Sequence, residues 1–295
     1  MIRISIPATS ANIGSGFDSL GLALGLYNNI YREEYDSIDI SSLDSTVIPL
    51  DQSNLVYTTV KHLYDVCGKS LPGIIIKQQN DIPMTRGLGS SSACVVGGLL
   101  GANKLLGSPL SIDEIVDMAA VIEGHPDNST PAILGGLVTA VLDGKKVYYV
   151  KQEIHSHLKF AAFIPNFTLK TEVARAGLPK EITHKDAVFN LSRAALMSVS
   201  LYSGNFHNLR TAAGDRLHQP YRLGLMDGAK EVFDLAYSLG AYATYVSGAG
   251  PTIMAMIDED DHYFEMKAIE GLKALNLDGW QLKILSIDNN GTMVY

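Results

Sequence analysis

The segment Pro83-Met84-Thr85-Arg86-Gly87-Leu88-Gly89-Ser90-Ser91-Ser92-Ala93 has the residue types of an anion site. Its two glycines let the backbone approach a ligand closely. A helix starting just after them would point free N–H groups and a positive dipole end outward. Three consecutive serines add hydroxyls suited to phosphate oxygens or a metal ion. Between Ile82 and Ile112 the chain has no Asp or Glu, where about three would be expected from 31 acidic residues in 295. No fixed negative charge therefore competes for that helix start. An ordinary strand–turn–helix junction with a serine cap would use the same residues, so the pattern alone supports an anion site and no more. Two familiar phosphate loops are excluded. Gly68-Lys69-Ser70 ends like a Walker loop, but Leu63 stands where its first glycine belongs. Ser92 occupies the third glycine position of a dinucleotide loop.

Such a loop needs a strand before it and a helix after it, and the pattern supplies both. Gly73 to Gln79 reads as a strand and 90–106 as a helix ended by Gly107. Ile2, Ile4 and Ile6 alternate with Arg3 and Ser5 as in a half-buried strand, and Leu22 to Tyr31 reads as a second strand. A helix is expected over 54–67, and Ser111 with Glu114 forms a capping box for another. Ile133 to Leu142 and Lys145 to Lys151 read as a hairpin turning at Asp143-Gly144. A strand near 159–164 opens a helix-rich second half, with helices expected at 186–203, 205–213, 222–238 and 261–275 and strands at 242–247, 252–257 and 280–287. The alternation argues for an α+β or α/β fold in two domains, 1–155 and 156–295. Apolar residues at 46% and charged residues at 18% describe a globular chain, and a net charge of −8 leaves no basic footprint for nucleic acid. Cys67 and Cys94 fit no zinc or redox spacing. With no apolar leader and no apolar run long enough for a bilayer, a cytoplasmic protein without membrane or nucleic-acid partners is expected.

PMTRGLGSSSA resembles the second motif of the GHMP kinases, whose members include galactokinase, homoserine kinase and mevalonate kinase. PATSANIGSGFDSLGLAL, from Pro7 to Leu24, is similar to that family's first motif in its homoserine kinase form, and VSGAGPT, Val246 to Thr252, to its third. EGHPDN at 123–128, TEVARAGLP at 171–179 and DRLHQPYR at 215–222 look like homoserine kinase segments too. The motifs run in order along nearly the whole chain. The resemblance implies an N-terminal α/β domain carrying the phosphate loop, a ferredoxin-like C-terminal domain and an active site in the cleft between them. It implies Mg²⁺-ATP as donor, L-homoserine as acceptor, O-phospho-L-homoserine as product on the way to threonine, and often a homodimer.

Under that resemblance Pro83 to Ala93 would bind ATP, with Asn54 near the adenine, although Asn54 also suits a helix cap. Ser90 matches the metal-ligating hydroxyl and Glu123 its carboxylate partner, an apt hard-oxygen pair for Mg²⁺. An amino-acid acceptor is a zwitterion and calls for a carboxylate facing its ammonium and arginine facing its carboxylate. Asn12 and Asp18 match the substrate-binding pair of the first motif, and Arg175 and Arg222 match the carboxylate-binding arginines; each arginine alone would more often be a surface charge. Thr171, His125 and Gly248 match further substrate-side positions. Asn128 stands where galactokinase and mevalonate kinase carry an Asp proposed as base. An amide accepts no proton at neutral pH, so Asn128 and Arg175 are expected to serve catalysis by orientation and charge, with Asp127 as the rival base. Two other readings remain open: a kinase for another small alcohol such as mevalonate or a sugar, and a catalytically silent metabolite-binding relative. Asp18, Arg175 and Arg222 weigh against the first, and Ser90, Glu123 and the unbroken glycine loop against the second.

Overall fold

The computed structural model describes residues 1–154 and 157–295. The boundary expected between 155 and 156 lies outside the described residues.

The first half is built on a seven-stranded sheet. Strand β1 (Ile2–Ala11) puts Ile4, Ile6 and Ala8 into the core and runs antiparallel along β2 (Leu20–Tyr35), with a bulge at Pro7/Ala8. The far edge of β2 is shared by two partners. β3 (Ile38–Ser42) lies parallel to β4 (Gly73–Asn80), which pairs with Asn28–Tyr35; the hairpin β5 (Leu137–Asp143) and β6 (Lys146–Gln152) joins at Leu20–Leu22. Four helices accompany this sheet. Helix α1 (Leu55–Val66) is capped by the Asn54 side chain, and α2 (Ser90–Leu105) starts directly after Gly89. Helix α3 (Ile112–Glu123) carries the expected Ser111/Glu114 capping box and stops at Gly124, and α4 (Ser129–Leu134) is one short turn and a half.

The second half holds β7 (Leu158–Pro165), α5 (Thr171–Ala176), α6 (His184–Ser203), α7 (Leu209–Ala212), α8 (Gln219–Leu223), α9 (Ala229–Ser238), β8 (Ala243–Val246), β9 (Ile253–Asp258), α10 (Phe264–Ala274) and β10 (Trp280–Leu285). Its four strands lie in the order β10-β7-β9-β8, all antiparallel, which is the ferredoxin-like arrangement. Alternate residues of these strands face opposite ways. Ala161, Phe163, Ile253 and Ala255 pack against α9 and α10, whereas Phe160, Ala162, Met254 and Met256 join the core that also contains Ile4, Leu22 and Val138 of the first sheet. One apolar core thus spans both halves.

Three expectations are corrected. Ile133 belongs to α4, so the hairpin begins at Leu137, and its two turn residues are Gly144 and Lys145 because Asp143 pairs with Lys146. The helix expected over 222–238 is two helices, divided at Gly224 and Gly228, the latter with φ 77°. The chain also does not stay in its second domain: β11 (Met293–Val294) returns to pair with β1, while Tyr27 donates to Asp288 at 2.6 Å.

Candidate active site

A cavity of about 570 Å³ lies where the two halves meet, lined by the β1–β2 loop, the start of α2, residues 123–128, α5 and the loop 248–250. Its walls explain the glycines. Gly87 and Gly89 both have φ 74°, a conformation costly for other residues. A β-carbon on Gly87 would collide with the Ser247 carbonyl oxygen, and one on Gly89 with the Thr9 hydroxyl. The loop is clamped to the second domain: Ser247 Oγ donates to the Gly87 carbonyl at 2.6 Å, and Thr252 N to the Arg86 carbonyl at 3.3 Å. Arg86 is spent on this clamp, donating to the carbonyls of Pro165, Asn166 and Met84.

Helix α2 then opens toward the cavity with no acidic residue in its first turn. Ser90, Ser91 and Ser92 all line the cavity. The hydroxyl that meets Glu123 is that of Ser92, donating at 2.5 Å, not that of Ser90. Burial pushes the Glu123 carboxyl up to about 7, while the Ser92 hydrogen bond and the charge of His125 oppose the shift. Ser90 and Glu123, the expected metal pair, both line the cavity, and Ser92 adds a hydroxyl bonded to Glu123. The two serine hydroxyls and the carboxylate are hard oxygens facing a cavity beside a positive helix end, a donor set that fits a divalent cation.

The acceptor end is built from the first motif and two arginines. Asn12 and Ile13 take positive φ values of 69° and 44°, followed by Gly14 at 75°, so this loop is held in a strained course. The Asn12 amide fixes it from within, accepting from Asp18 N at 3.0 Å and donating to the Gly248 carbonyl at 2.8 Å. Asp18 receives both Nη atoms of Arg175, at 3.0 and 2.7 Å. Arg222, 1% exposed, donates through Nη1 to the Gly248 carbonyl at 2.7 Å and to His218 Nδ1 at 3.1 Å. Its Nε has no hydrogen-bond partner among the described residues. Burial and the charge of Arg175 lower the Arg222 guanidinium to about 10, which leaves it charged at neutral pH. The Phe17 ring is close to both guanidinium groups, its centroid 5.6 Å from Arg175 Cζ and 5.3 Å from Arg222 Cζ.

Between the two ends sit His125, Asp127 and Asn128. Asn128 Oδ1 accepts the Thr9 hydroxyl at 2.9 Å, which turns its amide N–H₂ away from Thr9. Asp127 is 2% exposed and bonded to His125 Nδ1 at 2.6 Å. Burial disfavours a charged imidazole there, but the hydrogen bond and charge of Asp127 outweigh it and raise the His125 pKa.

Most of the expected residues therefore line one cavity: Asn12, Asp18, Glu123, His125, Asn128, Thr171, Arg175, Arg222 and Gly248, with Met84 to Gly87 and Gly89 to Ser92. Pro83, Leu88 and Ala93 do not line it. Leu88 and Ala93 are fully buried and support the loop from beneath. Asn54 lines the cavity, but its amide is committed to the cap of α1, to the Pro49 carbonyl and to Gln78. Gly248 offers little to a ligand, since its N–H is bonded to the Ala11 carbonyl and its own carbonyl takes Asn12 and Arg222. Thr9, Phe17, Ser247 and His218 were not legible as site residues. Thr9, Phe17 and Ser247 lie inside the quoted motifs but had no role attached, and His218 stands four positions before Arg222, one helical turn away.

The N-terminal domain model of the GHMP kinases matches residues 54–136 and the C-terminal model residues 197–266. A homoserine kinase of Clostridium beijerinckii is 48% identical over 100% of this chain and 98% of its own length, and one of Caldicellulosiruptor bescii is 47% identical over 100% and 97%. Among solved structures, a homoserine kinase from Cytophaga hutchinsonii superimposes with a TM-score of 0.89 at 26% identity, covering 100% of this chain and 97% of that one. A putative homoserine kinase from Listeria monocytogenes gives 0.84 at 33%, covering 100% and 99%. With matching models in both halves and relatives nearly half identical from end to end, this chain belongs to the GHMP kinase family, on its homoserine kinase branch.

Proposed function

We propose that the chain transfers the γ-phosphoryl group of ATP to the side-chain hydroxyl of L-homoserine, giving O-phospho-L-homoserine, a step toward threonine. The observation that carries this reading is the charge pattern of a single cavity. Asp18, Arg175 and Arg222 gather at one end, complementary to a zwitterion, and an acid-free helix start lies at the other. A neutral sugar or a simple hydroxy acid would leave part of that pattern unmatched.

Phosphoryl transfer asks mainly for positioning and charge neutralisation. The backbone N–H groups at the start of α2 would receive the phosphates, with Gly87 and Gly89 allowing the approach. Ser90, Ser92 and Glu123 would hold Mg²⁺, and Mg²⁺ bound there supplies positive charge against the phosphate oxygens. Arg222 and Arg175 hold the acceptor carboxylate while Asp18 faces its ammonium. Asn128, its oxygen held by Thr9, directs an N–H toward the acceptor hydroxyl and cannot take its proton. The hydroxyl oxygen attacks γ-phosphorus, its proton passes to an oxygen of the transferred phosphoryl group rather than to a side-chain base, the bond to the β–γ bridging oxygen breaks, and ADP leaves. Asp127, held by His125, is the competing base, and Asp127→Asn should retain measurable turnover. Loss of turnover with both substrate affinities intact would defeat the base-free mechanism.

ADP release measured with homoserine, serine, threonine, mevalonate and galactose tests the function itself. Homoserine should give the highest kcat/KM. Preference for mevalonate or galactose, or ATP binding without ADP release for every acceptor, would overturn the reading.

A further inference from the structure

His218 is fully buried and lies outside the cavity lining, yet both of its ring nitrogens are committed. Nε2 lies 2.7 Å from the Gly14 carbonyl oxygen and Nδ1 lies 3.1 Å from Arg222 Nη1. A carbonyl can only accept and a guanidinium can only donate, so the two partners fix the ring. Nε2 carries the hydrogen and Nδ1 accepts, in a neutral imidazole. The ring is also stacked on Phe17, centroids 5.1 Å apart and planes 23° from parallel.

The consequence falls on Arg222. Its Nη1 has two hydrogens, one taken by His218 Nδ1 and the other by the Gly248 carbonyl. Both bonds that Arg222 makes among the described residues use Nη1, and Nε is buried without a partner there; this leaves the Nε–Nη2 edge, the flat two-donor side that matches a carboxylate. With Nη1 pinned at two points, the guanidinium plane cannot rotate. Gly14, which backs the histidine, belongs to the same strained loop as Asn12 and Asp18.

We propose that His218 is a positioning residue for the acceptor. In its Nε2–H tautomer it locks Arg222 so that the Nε–Nη2 edge receives the substrate carboxylate, and it ties that edge to the loop carrying Asp18. The inference rests on the homoserine reading above.

The test compares two acceptors, L-homoserine and 2-amino-1,4-butanediol, which keeps the ammonium and the reacting hydroxyl but lacks the carboxylate. His218→Phe keeps a flat aromatic ring to stack on Phe17, at a somewhat larger volume, and removes both hydrogen bonds. It should lower kcat/KM for homoserine tenfold or more, mainly through KM, with the KM for ATP unchanged. The aminodiol should lose less than twofold, because the contact that His218 positions is absent from it. His218→Gln, which keeps a donor and an acceptor on one planar group, should recover part of the loss; it carries the same comparison if the Phe variant does not fold. Equal losses on both acceptors, or a KM for ATP rising in step, would reduce His218 to general packing and overturn the proposal. If the unaltered protein shows no activity toward homoserine, it is the functional reading that fails, before His218 enters.

Discussion

Asp18 and Arg175 hold each other across 157 positions of sequence in a two-pronged ion pair whose side chains are about one-third exposed. An ion pair this accessible adds at most about 1 kcal/mol to folding, whereas a charge-assisted hydrogen bond to a bound carboxylate is worth about 1.5–3 kcal/mol. Arg175→Met should therefore leave the melting temperature within a few degrees of its starting value and raise the KM for homoserine roughly 10- to 100-fold. An unchanged KM for homoserine would remove Arg175 from the acceptor site. His218 belongs to the opposite regime. Burial lowers its pKa below the ordinary value of 6.5, with Arg222 acting in the same sense and Asp215, 3.7 Å away, opposing it. The unfolded chain then binds the proton more readily than the folded one. Stability from the neutral ring is complete above pH 6.5 and is lost as the pH falls below it, by up to about 1.4 kcal/mol for each unit by which the pKa is lowered. Urea unfolding at pH 7.5 and pH 5 should show a steeper loss for the unaltered chain than for His218→Gln; equal losses would mean that the ring is not held neutral.

Helix α2 shows what an element contributes beyond its residues. Its first turn has no acidic residue, although an acid there would stabilise the helix by about 0.3–1 kcal/mol. Ser91 is exposed and lines the cavity. Ser91→Asp should raise the melting temperature slightly while abolishing the further rise that ATP produces, because the new carboxylate occupies the field meant for phosphate. A variant that still gains stability from ATP would show that the phosphates lie elsewhere. This element was legible because its signals are local: a glycine pair, a serine run and a missing charge. What was not legible is its rotation. The serine that bonds Glu123 depends on how α2 packs against α3, and it is Ser92. The same limit explains β11, two residues long and specified by the edge of β1 rather than by any pattern of its own. In the break between α8 and α9, Gly228 closes against Leu277 and Trp280, contacts a periodic reading cannot contain.

At the scale of the whole molecule the ATP end and the acceptor end are parts of one clamp. Gly87 is bonded to Ser247, Ala11 to Gly248, and Arg86 to the end of β7, so each phosphate-side contact has a counterpart in the second domain. The core beneath is continuous as well, since Phe160, on the second sheet, is fully buried in the cluster that holds Ile4 and Leu22 of the first. Two sequence domains joined in this way should unfold as one cooperative unit. Calorimetry should give a single transition whose van't Hoff and calorimetric enthalpies agree. Phe160→Ala, at a cost of about 3–5 kcal/mol, should lower that transition as a whole rather than split it. ATP at about 100 times its Kd should raise the same transition, adding roughly 2.7 kcal/mol, even though its expected contacts lie mostly in the first half. Two separable transitions, with only the lower one moved by Phe160→Ala or only one moved by ATP, would show that the halves fold independently and that the clamp forms only when ligand closes it.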